Sequence, residues 1–292
     1  MRITEGMRYS EVLRNLGSIS SQHAEASREA STGIRVGKPS DDPIAAAELA
    51  RLRASSSQTS AHLATINMVR GDAELTESTL SDATDVLARL KELALQASNG
   101  GLSADDRNNM NVEVAGLKDA LVQLGNARGT RGYLFSGSQV ATAAFDANGV
   151  FQGDSEAHVV PIGNSSPTTV STSGAESFVV AGGRNVFADV DSLVSALTTN
   201  NEAGIRTALD GIDASHKQIV NARARAGLVL SKLDASQSVL DSVDTEQQRR
   251  GQEAGAADPF ESYSRVTQLG QSLERAIAVS RQLLDLGGTN RF

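Results

Sequence analysis

Cysteine and tryptophan are both absent from the 292 residues, and aromatic side chains make up only 3% of them. Without cysteine there are no disulfides and no thiolate metal sites, which excludes a disulfide-stapled scaffold or a zinc–thiolate domain. So few rings leave little material for the thick core of a large globular enzyme, whereas many Ala, Leu, Ser and Gln suit thin packing between long helices. Only five prolines occur, so helices can run unbroken over long stretches. Basic residues are outnumbered, 27 Lys and Arg against 35 Asp and Glu, giving a net charge of −8 and a pI near 5.1. That balance argues against a general nucleic-acid binder. No apolar run approaches the roughly 20 residues that span a bilayer. The opening Met1-Arg2-Ile3-Thr4-Glu5 lacks an apolar stretch, so no conventional signal peptide is expected.

What the chain has instead is heptad periodicity at both ends. Tyr9, Val12, Leu16, Ile19, His23, Ala26 and Ala30 step alternately by three and four residues, as do Val266, Leu269, Leu273, Ala276, Ser280 and Leu283. This spacing draws one thin apolar seam down a helix, the pattern of a coiled coil. A chain that leaves through one such helix and returns through another can pair its own termini, antiparallel. The seams are narrow and lined with small residues, so the pair gains from further burial against other copies. The assembly interface is therefore expected at Tyr9, Val12, Leu16, Ile19, Val266, Leu269, Leu273, Ile277 and Leu283.

The first helix, over 1–32, should stop at Ser31-Thr32-Gly33, with Gly33 in the left-handed cap conformation. Pro39 keeps its predecessor out of the helical region. Ser40-Asp41-Asp42-Pro43 then reads as a helix start, with Asp42 as N-cap and Pro43 in the first helical position. From there helix is predicted to Ser98. Ile66, Val69, Ala73, Thr76, Leu80, Ala83, Leu87, Leu90, Ala94 and Ala97 keep the seven-residue beat before Asn99-Gly100-Gly101 breaks it. Ser103 with Asp106 three residues on is a capping-box signature, opening a helix that carries Met110, Val114, Leu117, Leu121 and Leu124. From about Tyr133 the period shortens, and Val150-Phe151, His158-Val159-Val160, Thr168-Thr169-Val170 and Phe178-Val179-Val180 are short β-like runs between turn residues. Helical spacing returns near Asp189 and strengthens from Glu202, with Ile205, Leu209, Ile212, His216, Ile219, Arg223, Ala226, Leu230, Leu233, Gln237 and Leu240 in step. Gly251, Gly255 and Asp258-Pro259 mark a hinge before the last helix.

Motifs that carry chemistry are missing. Gly33-Ile34-Arg35-Val36-Gly37-Lys38 has three residues between its glycines where a phosphate-binding loop needs four, and Pro39 stands where the hydroxyl should be. Asp41-Asp42 and Asp105-Asp106 sit at helix starts and read as caps. His23, His62, His158 and His216 have no second ligand at metal spacing. No catalytic constellation, cofactor site or metal site is expected. Arg35, Lys38, Asp41 and Asp42 are expected to form a joint between the terminal helices and the bundle.

Several of these stretches resemble the flagellin superfamily. Ser31-Thr32-Gly33-Ile34-Arg35-Val36-Gly37-Lys38-Pro39-Ser40-Asp41-Asp42-Pro43-Ile44-Ala45-Ala46 resembles its N-terminal signature, and the Pro-Ser-Asp-Asp-Pro form resembles the branch at the hook–filament junction. Met1-Arg2-Ile3-Thr4, Leu93-Ala94-Leu95-Gln96-Ala97-Ser98-Asn99-Gly100 and Arg131-Gly132-Tyr133-Leu134-Phe135-Ser136-Gly137 agree with that branch. Asn221-Ala222-Arg223-Ala224-Arg225-Ala226-Gly227 is similar to the helix by which such chains re-enter their bundle. The resemblance covers roughly 1–137 and 202–285.

It implies a structural subunit of the bacterial flagellum, not an enzyme, forming a homo-oligomeric ring between hook-associated protein 1 and flagellin. It implies export without a cleaved signal peptide, through the flagellar type III apparatus and with an export chaperone, to an extracellular site. Neither nucleic acid nor membrane is an expected partner. The alternatives are flagellin itself, as bulk filament subunit, or a secreted coiled-coil adhesin or effector. The expected architecture is mainly α with a β-rich insert: an elongated antiparallel helical bundle whose N- and C-terminal helices pair as a coiled coil. Residues 1–38 and 258–292 would form the terminal coiled-coil domain, 39–135 and 187–257 the helical bundle domain, and 136–186 a β-rich outer domain.

Overall fold

The computed structural model describes residues 5–156, 159–162, 168–169, 173–180 and 184–288, without the side chains of residues 5, 6, 8, 9, 168 and 283–288. Seven helices are present among the described residues: α1 (Glu5–Thr32), α2 (Pro43–Ala97), α3 (Ala104–Gly125), α4 (Gly174–Ser177), α5 (Val186–Thr198), α6 (Glu202–Gly255) and α7 (Pro259–Gly288). Two short antiparallel ladders accompany them, β1 (Arg128–Gly129) with β2 (Gly132–Tyr133), and β3 (Val159–Val160) with β4 (Thr168–Thr169). The chain is mainly α, and its helix ends fall where the local chemistry places them. Gly33 turns left-handed at φ 68° and its N–H returns to the Glu29 carbonyl at 2.8 Å, closing α1. The Ser103 hydroxyl accepts from the Asp106 amide at 3.1 Å, and the Asp106 carboxylate accepts from the Ser103 amide at 3.1 Å, completing the capping box that opens α3.

The chain divides into two compact units, residues 1–58 with 243–292, and residues 59–242. In the second unit α2 and α6 run antiparallel. Arg223 Nε reaches Glu77 at 2.6 Å, Arg70 Nη2 reaches Asp234 at 2.7 Å, and Lys91 pairs with Asp213, so partner numbers fall along α6 as they rise along α2. All ten seam positions of α2 from Ile66 to Ala97 are buried. On α6 two polar members of the seam bond to α2: besides Arg223, Gln237 accepts from Arg70 at 2.5 Å. Helix α3 packs on α5, with Lys118 Nζ 2.5 Å from Asp191. Leu80, Leu87, Val114, Leu121, Val190, Leu193, Ile205 and Ile219 belong to one core shared by the four helices.

The segment between α3 and α5 closes that same core. Phe135, Phe145, Phe178 and Phe187 are buried, with ring centroids 4.9–5.8 Å apart along a chain of edge and stacked contacts. Offset and edge-on pairs of this kind add to the area they bury. The β-like runs of the sequence each carry pairing: Phe151 bridges Phe145, Val179 bridges Asn185, and Val159–Val160 and Thr168–Thr169 form the β3–β4 ladder. His158 and Val170 lie outside the described residues. The Phe145–Phe151 pairing is short because a turn closes it, the Gly149 amide donating to the Asp146 carbonyl at 3.0 Å. Val160 and Ile162 pack with Ile66, Val69, Ala73 and Leu233, so this part of the insert lies on the α2–α6 pair.

Candidate assembly surface

Helices α1 and α7, remote in sequence, pack on one another within the first unit. Their direction is antiparallel. Arg265 Nη1 lies 3.4 Å from Glu29 Oε2, and nearer the start of α1 His23 faces Gly270, where an added Cβ would stand 3.5 Å from Nε2. Val12, Leu16, Ile19, His23 and Ala30 are half-buried and Ala26 is buried, while on α7 Val266, Leu269, Leu273, Ala276 and Ser280 are half-buried. The two predicted seams are therefore the faces by which the helices cover each other. Ile277 stands off the covered stripe at 37% exposure. The side chains of Tyr9 and Leu283 lie outside the described residues.

A half-buried seam stabilises weakly. Full burial of a Val, Leu or Ile contributes about 1.5–3 kcal/mol, and Val12, Leu16 and Ile19 achieve only part of this. Apolar side chains on the same helices stay in solvent: Met7 and Leu13 on α1, and Phe260, Tyr263, Ile277 and Val279 on α7. Phe260 is 89% exposed. Met7, Leu13, Phe260, Tyr263 and Val279 fall off the three-four rhythm of the seams, and the signal that marks them in the sequence is an apolar residue outside the seam of a thin helix.

The predicted joint residues come together with the end of α6. The Arg35 amide donates to the Gly255 carbonyl at 2.8 Å and the Ala257 amide to the Gly33 carbonyl at 2.9 Å, around an Ile34–Ala256 bridge. The Arg35 guanidinium spans Asp42 Oδ2 at 3.0 Å and the Ala254 carbonyl at 2.9 Å. Asp42 caps α2 as expected, its Oδ1 accepting from the amides of Ile44 at 3.1 Å and Ala45 at 3.0 Å. Asp41 Oδ2 accepts from the amides of Lys38 at 2.8 Å and Gly37 at 3.1 Å. The Ala45 amide and then the Arg35 guanidinium hold the Asp42 carboxyl below its ordinary range; the Lys38 amide does the same for Asp41. Lys38 takes part through its backbone, since its carbonyl also accepts from the Asp41 amide at 3.0 Å. Beneath the turn Val36, Ala45 and Leu49 form a small buried cluster. The arrangement locks a turn and offers no reacting group. Among the described residues no cluster of His, Asp or Glu could hold a metal ion, and no helix is long and apolar enough to cross a membrane.

Comparison with known proteins agrees with this geometry. The bacterial flagellin N-terminal helical region matches residues 3–140. Flagellar hook-associated protein 3 of Escherichia coli is 29% identical over 262 residues, covering 84% of this chain and 83% of its own length. The protein of that name from Salmonella typhimurium is 28% identical and covers 83% of each chain. The solved flagellar junction protein FlgL of Legionella pneumophila superposes with a TM-score of 0.60 at 16% identity, over 72% of this chain and all of its own, which shows a shared fold. Helical bundle and paired termini thus go with likeness to flagellar proteins. Along most of its length the chain is similar to flagellar hook-associated protein 3.

Proposed function

We propose that this chain joins the flagellar hook to the filament, as a structural subunit that works by self-assembly. The carrying observation is the likeness to flagellar hook-associated protein 3 along 84% of the chain, and the paired, thinly buried seam of its terminal helices supports it. In this reading a ring of copies sits between hook-associated protein 1 and flagellin. Residues 1–38 and 258–292 form the polymerising part, and Met7, Leu13, Phe260, Tyr263, Ile277 and Val279 are buried when copies meet. Burial on assembly shares the hydrophobic gain among subunits. The chain reaches its site unfolded, through the flagellar type III export apparatus, with a chaperone covering α7.

Deleting the gene tests the role. A strain that secretes flagellin into the medium and keeps no filaments, and that regains filaments when this chain is supplied, supports the junction. Filaments retained without it overturn the reading. Flagellin is the rival, because the N-terminal match is to the flagellin helical region; copy number decides, thousands of copies per filament against a single ring.

A further inference from the structure

We infer that Asn99–Gly100, in the turn after α2, is a site of spontaneous deamidation and isoaspartate formation, activated by the buried guanidinium of Arg107. The chain contains two Asn–Gly steps, at 99–100 and 148–149, and the fold treats them oppositely. At 148–149 the attacking nitrogen is taken. The Gly149 amide donates to the Asp146 carbonyl at 3.0 Å, and Gly149 is buried at φ 80° against the Phe187 ring, where an added Cβ would come within 2.5 Å. The turn cannot rearrange around it.

At 99–100 both residues are exposed, and neither the Asn99 side chain nor the Gly100 amide has a hydrogen-bond partner among the described residues. The peptide unit that links them is polarised instead. Its oxygen, the Asn99 carbonyl, accepts from Arg107 Nη2 at 3.1 Å and from the Leu102 amide at 3.3 Å. Arg107 is 2% exposed, so its charge acts with little screening. A charge-assisted hydrogen bond to the carbonyl draws electron density from the same peptide unit and stabilises the anion formed when the Gly100 amide loses its proton to base.

That nitrogen attacks Asn99 Cγ. The new C–N bond closes a succinimide, the bond to the side-chain nitrogen breaks, and ammonia leaves. Water then opens the ring at either carbonyl. One route gives aspartate. The other gives isoaspartate, in which the main chain runs through the former side chain and the old Asn99 carbonyl becomes a free carboxylate. This carboxylate forms on the acceptor that Arg107 already holds, in competition with Glu202 Oε1 at 2.9 Å. The guanidinium that promotes the reaction also stabilises its charged product.

Peptide mapping of the full chain, aged at mildly alkaline pH and read by mass and by isoaspartyl-specific methylation, tests this. In denaturant the two Asn–Gly steps should react alike. In the folded chain the 148–149 step should fall severalfold, while the 99–100 step holds its denatured rate or exceeds it. Gly100→Ala, whose Cβ would meet Glu202 Oε1 only at 3.8 Å, should fold normally and suppress the product severalfold. A folded rate at 99–100 severalfold below the denatured rate, or equal rates at the two steps in the folded chain, would overturn the inference.

Discussion

Arg265 on α7 stands 3.4 Å from Glu29 on α1, across 236 residues of chain. Half of the Arg265 side chain is exposed, so the pair contributes within about 1 kcal/mol and serves more to record register than to hold the helices. With His23 facing Gly270 it fixes one antiparallel alignment.

The absence of cysteine makes this alignment directly testable. In the double variant His23→Cys with Gly270→Cys, a short bifunctional thiol reagent should cross-link the ends of the chain, because a Cβ at 270 lies 3.5–3.8 Å from the tip of the His23 side chain and meets only ordinary contacts. Leu16→Cys with Gly270→Cys, shifted by one heptad, should not cross-link. Equal cross-linking of the two variants, read by mobility on a denaturing gel, would mean the termini slide or stay apart.

Two glycines of α3 should respond to alanine with opposite signs. Around Gly116 there is nothing within 4 Å of an added Cβ, so Gly116→Ala removes only the entropic cost of a helical glycine and should stabilise by about 0.5–1 kcal/mol. At Gly125 the new carbon would stand 2.7 Å from the Phe145 ring, itself packed against three other phenylalanines. The cluster has little room to yield, and Gly125→Ala should destabilise by about 1–3 kcal/mol. Chemical denaturation of both variants measures the two changes.

Helices, their seams and their caps were legible because their signals are local. The run from Ile66 to Ala97 announces its buried face by spacing alone, and Ser103 with Asp106 announces a start within four residues. The partners that organise the fold left no such trace. Arg131 binds the buried Asp72 at 2.9 Å from 59 residues away, and the Thr130 amide meets the same carboxylate at 2.7 Å. Arg107 holds Glu202 across 95 residues. Neither arginine differs in its sequence neighbourhood from those on solvated faces. Nor could spacing show that five of the seven phenylalanines would meet in one cluster. For the candidate site, the seams and the Arg35–Asp42 turn were readable, whereas the exposed Phe260 and Tyr263 gain meaning only once the covered face of α7 is known.

Acid should find a particular weak point at Asp213. Hydrogen bonds from Lys217 and then Lys91 hold its carboxyl at about 2, below the roughly 3.9 of an unfolded aspartate. The folded chain thus keeps the charged form where the unfolded chain protonates. Asp213 contributes stability that is fully present above the unfolded value and fades as pH falls through the folded one. Asp213→Asn should be less stable than the parent by a constant small margin from neutral pH to about 5, with the gap closing between about 4 and 2. Urea midpoints taken across this range check it; a gap that widened in acid would reverse the assignment.

Charge is unevenly shared between the two units. Residues 1–58 with 243–292 carry fourteen basic and fourteen acidic side chains, while 59–242 carry thirteen and twenty-one, so the whole net charge of −8 belongs to the second unit. Copies that associate through a neutral unit are then opposed by the acidic one. Salt screens that repulsion, with a decay length of about 10 Å at 0.1 M. Self-association of the purified chain, followed by sedimentation, should strengthen as ionic strength rises from low values. Weakening with added salt would point to ion pairs as the assembling force.

The turn from Arg35 to Asp42 should be separable from the fold of residues 59–242. Asp42→Ala removes the acceptor for the Ile44 and Ala45 amides and the partner of Arg35, at a cost of about 0.5–2 kcal/mol for a lost N-cap. Asp41→Ala frees the Lys38 and Gly37 amides, and Arg35→Ala breaks the hold on the Ala254 carbonyl. None of these contacts involves the core that α2, α3, α5 and α6 share, so hydrogen exchange in that core should be unchanged in Arg35→Ala, Lys38→Ala, Asp41→Ala and Asp42→Ala together. Exchange at Ile34, Arg35, Ile44 and Ala45 should accelerate. If this turn sets how the terminal helices are presented to neighbouring copies, the fourfold variant should shed filaments under viscous load while still being exported. Normal swimming with filaments retained would leave the turn a stabilising feature of the monomer and nothing more.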